Sequence, residues 1–514
     1  MEVLKSEIVR AELSAATLHA SLGDASMESM TLLNEVAGTY PNAISFAAGR
    51  PYEGFYDVSL LHEYLRIFCR YLSTERGMSE TEVARTLFQY GDTKGIISDL
   101  VARSLAADEG IDADPASVVV TVGCQEAMFL VLRALRASDR DLLLAPSPTY
   151  VGLTGAALLA DLPVLPVRTG PDGIDLDDLA DRLREARAAG HRVRACYVTP
   201  DFANPVGVSM SLADRHRLLE LAAAEDLLLL EDNAYGLLNS AVERLPTLKA
   251  LDRHERVVYL GSFAKTGMPG ARVGYAVAGQ RVSGASGDSL LADELSKIKS
   301  MLTVNTAPIA QAVVGGKLLA HGCSMAQANR REAEVYHRNL RQVLDGLDRR
   351  FGGHTDISWN APTGGFFVVL TVPFTVDDDL LAHAARRHGV LFTPMHHFYG
   401  STAGHRQLRL SISTLTPDRI EEGLDRLAAL IGERLAECGG VGAVEHGGVE
   451  AAEHEGVGLA EREGVGLAER GGVGTAEREG VRTAEHGGVG TAEREGAGTA
   501  EHEGAGETLP SGAP

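Results

Sequence analysis

The stretch GSFAKTGMPGARVGY (residues 261–275) places a single lysine in surroundings that a surface lysine does not need. Lys265 follows the run 257–260, whose valine, tyrosine and leucine residues are typical of a buried strand. Ser262 lies three residues before the lysine, and Arg272 lies seven residues after it, beyond a Pro-Gly turn. A lysine that forms a covalent bond, and must move away when that bond breaks, needs small neighbours of this kind. The stretch therefore predicts a chemical role for Lys265 at the end of a buried strand.

Short apolar runs alternate with amphipathic helical patterns in the rest of the first 442 residues. The runs that predict strands are 118–122, 142–144, 195–198, 227–230, 257–260 and 273–276. Buried strands that alternate with helices are typical of a mostly parallel sheet covered by helices on both faces. In such sheets the ligand lies beyond the carboxyl ends of the strands. We therefore predict an α/β fold, with a site formed by the residues that follow the strands.

Residues that could take part in catalysis or ligand binding follow five of these strands. They are Gly123, Cys124 and Gln125, then Tyr150, Asn204, Asp232 with Tyr235, and Ser262 with Lys265. The first three open a helix whose free N–H groups suit a phosphate. Each has an ordinary structural alternative: Asp232 could cap a helix, and Gly123 could serve only a turn. Likewise, Tyr150 could be an aromatic residue at a rim, and Asn204 could belong to an ordinary Asn-Pro turn.

Nine motifs in this order resemble those of the class I/II pyridoxal-phosphate aminotransferases of fold type I. They are ISFAAGRP, QYGDTKG, VTVGCQEAM, PSPTY, TPDFANPVG, EDNAYG, GSFAKTGMPGARVGY, PTGGFFV and LRLSIS, between about residues 45 and 430. The resemblance implies a large domain with a mostly parallel sheet and a smaller C-terminal α+β domain. It also implies these boundaries: an N-terminal segment folding over the active site (1–45), the large cofactor-binding domain (46–300) and the small domain (301–437).

The resemblance also implies roles around the pyridoxal 5′-phosphate ring. Lys265 would bond covalently to the cofactor aldehyde and, once displaced, carry a proton to and from the substrate Cα. Asp232 would keep the pyridine nitrogen protonated. Tyr235 and Asn204 would bind the phenolic oxygen of the ring, and Tyr150 would stack on it.

The phosphate would be held by backbone N–H groups at Gly123, Cys124 and Gln125, together with Ser262 and Arg272. An arginine suits this task because it has several fixed donors and stays charged. The family usually has a small hydroxyl residue or alanine where Cys124 stands. Since the backbone is the expected ligand there, we expect a mild effect.

Further residues are implied in substrate binding and assembly. Tyr90 resembles the family tyrosine that reaches the phosphate of the neighbouring subunit, which implies a homodimer with shared active sites. Arg409, on an alternating strand, would bind the substrate α-carboxylate through two parallel hydrogen bonds, although a solvated strand arginine is the alternative. Arg50 and Tyr52 are further candidates for substrate binding.

The substrate is indicated mainly by residues 26–57, which resemble the transaminases that make arylglycines for peptide antibiotics. This likeness implies amination of an arylglyoxylate, with an amino acid such as tyrosine as donor. Aromatic residues that could surround an aryl group, or could simply pack, are Tyr52, Phe55, Tyr56, Phe398 and Tyr399. Asp201 and the segment 392–400 depart from the family pattern, which predicts a specialised substrate pocket.

Other functions remain as alternatives at this point. A 2-aminoadipate- or kynurenine-type aminotransferase is the second candidate for the substrate. The same fold also supports pyridoxal-phosphate lyases and oxidases. A regulatory, non-catalytic relative would need a basic winged helix before the matching region, where only about 40 acidic-leaning residues stand.

The composition excludes several classes of protein. A net charge of −22 argues against nucleic acid as a partner, and no run of 18 apolar residues predicts a membrane span. The N-terminal 24 residues lack the basic start and apolar centre of a signal peptide. Five scattered cysteines predict neither a disulfide framework nor a zinc site. We therefore expect a cytoplasmic enzyme that acts on small molecules and has no metal ligands.

The C-terminal segment has a different composition. Residues 443–506 form eight octapeptides that approximate xAE(H/R)(E/G)GVG, and residues 443–514 carry fifteen Glu and five Arg. Its apolar residues are too few and too small to offset the entropy of ordering. We predict a disordered tail over 438–514; weak metal binding by its regular histidines is the alternative.

Overall fold

The computed structural model describes residues 11–441 except 239–243, 267, 285–286 and 401–402, and without the side chains of 30, 32–34 and 438–441. The octapeptide repeats lie outside the described residues, as do the first ten residues of the predicted N-terminal segment. The last described helix ends at Val441, so it includes the first four residues of the predicted tail. Within the described part of the chain, no helix is long and apolar enough to cross a membrane.

The secondary structure alternates strands and helices along the chain. The strands are β1 (Ile44–Ser45), β2 (Val118–Thr121), β3 (Asp141–Ser147), β4 (Val164–Gly170), β5 (Gly173–Ile174), β6 (Arg192–Val198), β7 (Leu228–Asn233), β8 (Val257–Ser262), β9 (Gly274–Val277), β10 (Arg281–Gly284), β11 (Gly287–Leu290), β12 (Ser358–Trp359), β13 (Phe367–Thr371), β14 (Val390–Leu391), β15 (Thr393–Pro394) and β16 (Gln407–Ser411). The α-helices are α1 (Ala25–Thr39), α2 (Val58–Thr74), α3 (Glu80–Phe88), α4 (Ser98–Glu109), α5 (Gly123–Leu135), α6 (Val151–Leu159), α7 (Leu176–Ala188), α8 (Leu212–Ala224), α9 (Leu248–Leu251), α10 (Leu291–Leu302), α11 (Pro308–Ala320), α12 (Met325–Ala328), α13 (Arg330–Phe351), α14 (Asp378–His383) and α15 (Pro417–Val441).

The main sheet has eight strands in the order β2-β9-β8-β7-β6-β3-β4-β5. The pairs from β8 through β7, β6 and β3 to β4 are all parallel. Strand β9 is antiparallel to both of its neighbours, and β5 is antiparallel to β4. Because β6, β7 and β8 are adjacent and parallel, the residues at their carboxyl ends lie side by side. The predicted α/β class with a mostly parallel sheet is confirmed.

Both faces of this sheet are apolar because successive side chains of a strand point in opposite directions. In β2, Val119 packs in the same cluster as α5 and α6, whereas Val118 and Val120 pack with α2, α4 and α11. Likewise, Leu230 joins the first cluster, and its neighbour Leu229 packs on the opposite face with α7 and α8. This alternation is why helices cover both faces, as the sequence predicts.

A second, antiparallel sheet of four strands has the order β12-β13-β16-β15. It places Arg409 opposite Val369 on one side and Thr393 on the other. Strand β1 pairs with β14 in parallel, which fixes the chain just before residues 47–50. The predicted boundary between residues 300 and 301 falls inside α10, and the division into the two domains stays a prediction.

Helices α2 and α11 pack against each other at a glycine. A Cβ built on Gly316 would overlap the carbonyl oxygen of Tyr64, a backbone atom that cannot rotate away as a side chain can. A Cβ built on Gly432, inside α15, would meet no heavy atom of the described residues outside its own helix within 4 Å.

We predict that Gly316→Ala lowers the free energy of unfolding by about 1–3 kcal/mol, because overpacking a tight contact costs that much. Gly432→Ala is the matched control. It should raise the free energy of unfolding by about 0.5–1 kcal/mol, since alanine lowers the conformational entropy of this segment in the unfolded chain. Thermal midpoints of the two cofactor-loaded variants test this. Equal midpoints would contradict the packing described here.

Candidate active site

A cavity of about 240 Å³ lies at the carboxyl ends of the parallel strands. Predicted site residues that line it are Arg50, Cys124, Gln125, Tyr150, Asn204, Asp232, Tyr235, Ser262, Lys265, Arg272 and Arg409. They come from strands of both sheets, from α5 and the connections that follow strands of the main sheet, and from the segment that follows β1. Residues distant in sequence thus meet at the sheet edge where the sequence predicts the site.

Asp232 provides a buried carboxylate on one side of the cavity. It lies within β7 rather than after it, and its side chain caps no helix in the described structure. Its Oδ2 accepts a hydrogen bond of 2.7 Å from Tyr197 Oη, and its Oδ1 lies 3.7 Å from the Cys124 Sγ donor. Burial raises the pKa of Asp232. Three contacts oppose that rise: the hydrogen bond from Tyr197, the contact with Cys124 and the charge of Lys265. The carboxylate is therefore held by two donors and faces a cation.

Lys265 lies just beyond β8, and its Nζ donates a hydrogen bond of 2.7 Å to the carbonyl oxygen of Gly49. Burial lowers the pKa of Lys265 to about 8, helped by the positive charges of Arg409 and Arg272 and opposed by Asp232. The neutral amine is therefore far more abundant near neutral pH than it is for an ordinary lysine. A neutral amine is the nucleophilic form of lysine.

The start of α5 and Arg272 form an anion-binding corner. Gly123 has φ +74°, and a Cβ there would lie 2.5 Å from Arg272 Nη2, so a side chain would fill the corner. The adjacent Gly274 is equally constrained, because its Cβ would lie 2.5 Å from the backbone nitrogen of Cys124. Free N–H groups at a helix start, beside a guanidinium, suit a phosphate.

Two polar side chains near the anion-binding corner form hydrogen bonds with neighbouring backbone groups. The Oγ of Ser262 accepts a hydrogen bond from the backbone N–H of Ala264 at 3.1 Å. The amide of Gln125 donates to the carbonyl oxygen of Gly152 at 2.5 Å, which joins α5 to α6. Gln125 therefore holds its side chain against the protein while its backbone remains part of the helix start.

Tyr150 and Tyr235 are the tyrosines predicted from the sequence that line the cavity. Burial raises the pKa of Tyr150 to about 12. Burial also raises the pKa of Tyr235, and a hydrogen bond with Asn204 opposes the rise. Both phenols are thus protonated at neutral pH and can donate hydrogen bonds.

Arg409 is a buried cation on β16, with 4% of its surface exposed. Its Nη1 donates to Asn204 Oδ1 at 2.6 Å, and its Nη2 donates to the carbonyl oxygen of Ala47 at 3.1 Å. The rings of Phe367 and Phe398 lie 4.2 and 4.7 Å from the guanidinium carbon. Burial lowers the pKa of Arg409 to about 10, so it stays charged at neutral pH. Its Nε is buried and has no partner among the described residues.

Three predicted site residues are not among those that line the cavity: Gly123, which lies beside it against Arg272, and two tyrosines. Tyr52 donates its backbone N–H to Tyr336 Oη at 2.9 Å, and its ring packs edge-on to Phe55 at 5.2 Å. Tyr90 is 83% exposed on the surface of the chain. Their roles stay predictions. Of the aromatic residues considered for an aryl group, Phe398 lines the cavity, whereas Phe55 and Tyr56 line a separate cavity of about 690 Å³.

The departure at Asp201 has a structural explanation instead of the predicted link to the substrate pocket. The side chain of Arg215 is fully buried, and its Nη2 lies 2.5 Å from Asp201 Oδ1. Arg215 also donates to the carbonyl oxygens of Pro200 and Met210. A buried guanidinium needs an anion, which Asp201 supplies. Because Asp201 belongs to the loop that carries Asn204, its bond to Arg215 stabilises that loop.

Sequence reasoning missed several residues of the cavity wall. Tyr197 binds Asp232 from the middle of a strand run that the sequence shows only as apolar. The sequence does contain a signal for this contact, because a tyrosine inside a buried strand needs a hydrogen-bond partner for its phenol. Phe367 and the segment 47–49 also line the cavity, but their positions depend on pairing between distant strands.

Comparisons with known proteins identify the family of the chain. The sequence model of the family described as aminotransferase class I and II matches residues 74–427. The chain belongs to the class I and II aminotransferases. It is therefore a pyridoxal-phosphate-dependent transferase, and the enzyme class and cofactor predicted from the sequence are confirmed.

Individual relatives of this aminotransferase include a (S)-3,5-dihydroxyphenylglycine transaminase from Amycolatopsis orientalis. It is 65% identical over 424 residues, which cover 82% of this chain and 96% of the relative. A solved α-aminoadipate aminotransferase from Thermus thermophilus, complexed with N-(5′-phosphopyridoxyl)-L-leucine, is 29% identical with a TM-score of 0.69, covering 83% and 100% of the two chains. The kynurenine aminotransferase of Pyrococcus horikoshii is 26% identical with a TM-score of 0.68, covering 82% and 96%.

The residues of the cavity fit the cofactor. The corner between Gly123 and Arg272 would hold the phosphate, and the glycine leaves the space that the group needs. Asp232 supplies an anion for the ring nitrogen, and Lys265 supplies an amine for the aldehyde. These assignments of individual residues are proposals.

We predict that the cofactor-free aminotransferase captures pyridoxal phosphate at a rate that rises with pH and levels off above about pH 8. The pKa of Lys265 is lowered, so the reactive neutral amine accumulates at a lower pH than for an ordinary lysine. Stopped-flow absorbance measures this rate. In Arg409→Gln the inflection should move to higher pH, because a cation that disfavours the charged amine is removed. An inflection near the ordinary lysine pKa of about 10.4 in the unmodified protein would contradict the environment described here.

Proposed function

We propose that this aminotransferase transfers an amino group between an amino acid donor and an arylglyoxylate, giving a hydroxyphenylglycine-type amino acid for peptide-antibiotic biosynthesis. The observation that carries the proposal is the 65% identity to the (S)-3,5-dihydroxyphenylglycine transaminase, over 96% of that relative. The α-aminoadipate and kynurenine aminotransferases are 29% and 26% identical, which makes those substrates the alternative. A lyase or oxidase reaction on the same fold is less supported.

The residues around the cofactor have separate tasks in this proposal. Pyridoxal phosphate, when bound, supplies an electron sink for the negative charge that develops at the substrate Cα. Lys265 takes and returns the Cα proton, since its lowered pKa suits a base near neutral pH. Asp232 holds the ring nitrogen, and Tyr197 fixes the orientation of that carboxylate through its 2.7 Å hydrogen bond. Tyr235 and Asn204 bind the phenolic oxygen.

Arg409 binds the α-carboxylate of the substrate. Its guanidinium is buried and charged, and its Nε lacks a partner among the described residues, so a carboxylate would satisfy a donor that is otherwise unpaired. A charge-assisted hydrogen bond in such a site is stronger than a neutral one.

The wall beside Arg409 favours an aryl group. In an arylglycine, the ring and the carboxylate are attached to the same carbon, so the groups that bind them must be neighbours. Phe367 and Phe398 lie against the faces of Arg409, at 4.2 and 4.7 Å, and provide this arrangement. A 2-aminoadipate side chain ends instead in a second carboxylate, for which Arg50, which also lines the cavity, is the candidate cation.

The proposal includes a homodimer with shared active sites, located in the cytoplasm. Phe88 and Tyr90 are each more than 80% exposed, and they lie at the end of α3 and just beyond it. Large apolar side chains exposed in one region favour coverage by a second copy of the chain. The described cysteines are all unpaired, which fits a reducing compartment.

The substrate is tested by single-turnover absorbance of the cofactor-loaded protein without a 2-oxo acid. We expect (S)-3,5-dihydroxyphenylglycine to convert the bound cofactor to its amine form at least tenfold faster than 2-aminoadipate or kynurenine. Arg409→Gln should lower the apparent second-order rate about 10- to 100-fold with every substrate, because a charged hydrogen bond is worth about 1.5–3 kcal/mol. Lys265→Ala is the control that should show no conversion. Preferential conversion by 2-aminoadipate or kynurenine would select the alternative, and conversion by none of the three would reject both the proposed substrate and the alternative.

Shared active sites are tested by mixing two defective variants. Tyr90→Ala should weaken cofactor binding, and Lys265→Ala should abolish turnover. If Tyr90 serves the neighbouring subunit, a hybrid dimer of the two variants contains one complete site, so the mixture should be more active than either variant alone. Turnover at limiting cofactor, measured before and after subunit exchange, gives the result. A mixture no more active than the sum of its parts would reject sharing.

A further inference from the structure

A cluster outside the active site combines Asp378, His396 and His397. Asp378 is the first residue of α14, and the two histidines lie in a short 3₁₀ turn, Met395–Phe398. His397 Nε2 lies 2.7 Å from Asp378 Oδ1, and His396 Nε2 lies 3.8 Å from the same oxygen. One potential ligand atom from each residue lies within 4.8 Å of the others. Two imidazoles and one carboxylate therefore converge on a single point.

The spacing of these atoms suits a small transition-metal ion. Zinc binds imidazole nitrogen at about 2.0–2.1 Å and carboxylate oxygen at about 2.0–2.2 Å, which separates two tetrahedral ligands by about 3.3 Å. The observed separations of 2.7 and 3.8 Å lie on either side of that value. Small side-chain rotations are therefore enough to bring the atoms to ligand distances.

The cluster also has the outer contacts that metal sites use. The second ring nitrogen of His397, Nδ1, lies 2.8 Å from Ser29 Oγ on α1, so Ser29 can hold the protonated nitrogen while Nε2 exchanges its present contact with Asp378 Oδ1 for a bond to the metal. The ring of His405 stacks on His396 with centroids 4.9 Å apart and planes 11° apart, which restricts that ring. The side chain of His397 is 7% exposed, whereas that of Asp378 is 52% exposed, so an ion can enter from the Asp378 side.

We propose that Asp378, His396 and His397 bind one divalent transition-metal cation, for which zinc is the best chemical match, with water completing the coordination. Imidazole nitrogen with a carboxylate is a ligand set that zinc and its neighbours accept, and three protein ligands leave one position for water. The bound ion joins α14 to the turn that ends at Phe398, and through Ser29 it supports α1. It thereby fixes a residue that lines the active site.

The sequence gives no signal for this site, because adjacent histidines have no recognisable ligand spacing and Asp378 lies 18 residues before His396. A second group, His383, His388 and Glu433, provides a comparison. There each histidine lies 3.0 Å from a different oxygen of Glu433, and Arg387 lies 3.6 Å from one of them. The guanidinium already neutralises that carboxylate, so this group suits a metal less well and serves as the control.

The test is equilibrium dialysis of the full-length, chelator-treated protein against micromolar zinc, with bound metal measured by mass spectrometry. Asp378→Asn and His397→Gln should each bind one equivalent less than the unmodified protein, and His388→Gln should bind as much. The histidines of the C-terminal repeats are common to all four proteins, so their binding cancels in the difference. Zinc should also raise the melting temperature of the unmodified protein more than that of Asp378→Asn, because it binds only the folded cluster.

Cobalt supplies a second measurement, since its visible absorption bands report coordination by histidine nitrogen and oxygen. We expect these bands in the unmodified protein and in His388→Gln, and their loss in Asp378→Asn and His397→Gln. Equal metal content in all four proteins would overturn the proposal. Loss of the equivalent in His388→Gln alone would also overturn it, by placing the ion at the other group.

Discussion

The structure depends on keeping one lysine amine away from water and next to other cations. Burial and the charges of Arg409 and Arg272 oppose a proton on Lys265, while Asp232 favours it. The balance lowers the pKa to about 8 and leaves an amine that can act both as nucleophile and as base. No short segment of chain can produce this environment, because the charges that matter come from different strands and different sheets.

The order of strands supplies that environment. Because β6, β7 and β8 are adjacent and parallel, Tyr197, Asp232 and Ser262 come from neighbouring strands near their carboxyl ends. The antiparallel sheet adds Arg409. The pairing of β1 with β14 fixes the segment that contains Gly49, and the carbonyl oxygen of Gly49 accepts a hydrogen bond from the amine of Lys265. The groups that lie on strands are therefore positioned by backbone hydrogen bonds, which are insensitive to most surface substitutions.

The sequence predicts the parts of the site that are local to a strand end. The runs at 227–230 and 257–260 mark their strands, and the residues just beyond them include Asp232 and Lys265. It does not predict contacts that join distant segments. The pairing of Asp201 with buried Arg215 is invisible in a motif, so an aspartate that stabilises a loop resembles a substrate determinant. The same reason applies to Tyr197, whose partner lies 35 residues away.

The residues proposed to bind the cofactor and the aromatic ring proposed to contact the substrate differ in how firmly the fold holds them. The residues proposed to bind the cofactor lie on, or close to the ends of, the strands of a sheet covered by helices on both faces, whereas Phe398 belongs to a four-residue turn after β15. A turn of that length cannot fix an aromatic ring through its own hydrogen bonds. Its neighbours His396 and His397 contact Asp378 and α1, and the backbone carbonyl of Phe398 accepts a hydrogen bond from the N–H of Thr149. These outer contacts hold the ring against Arg409, so residues outside the cavity wall determine where the ring of Phe398 lies.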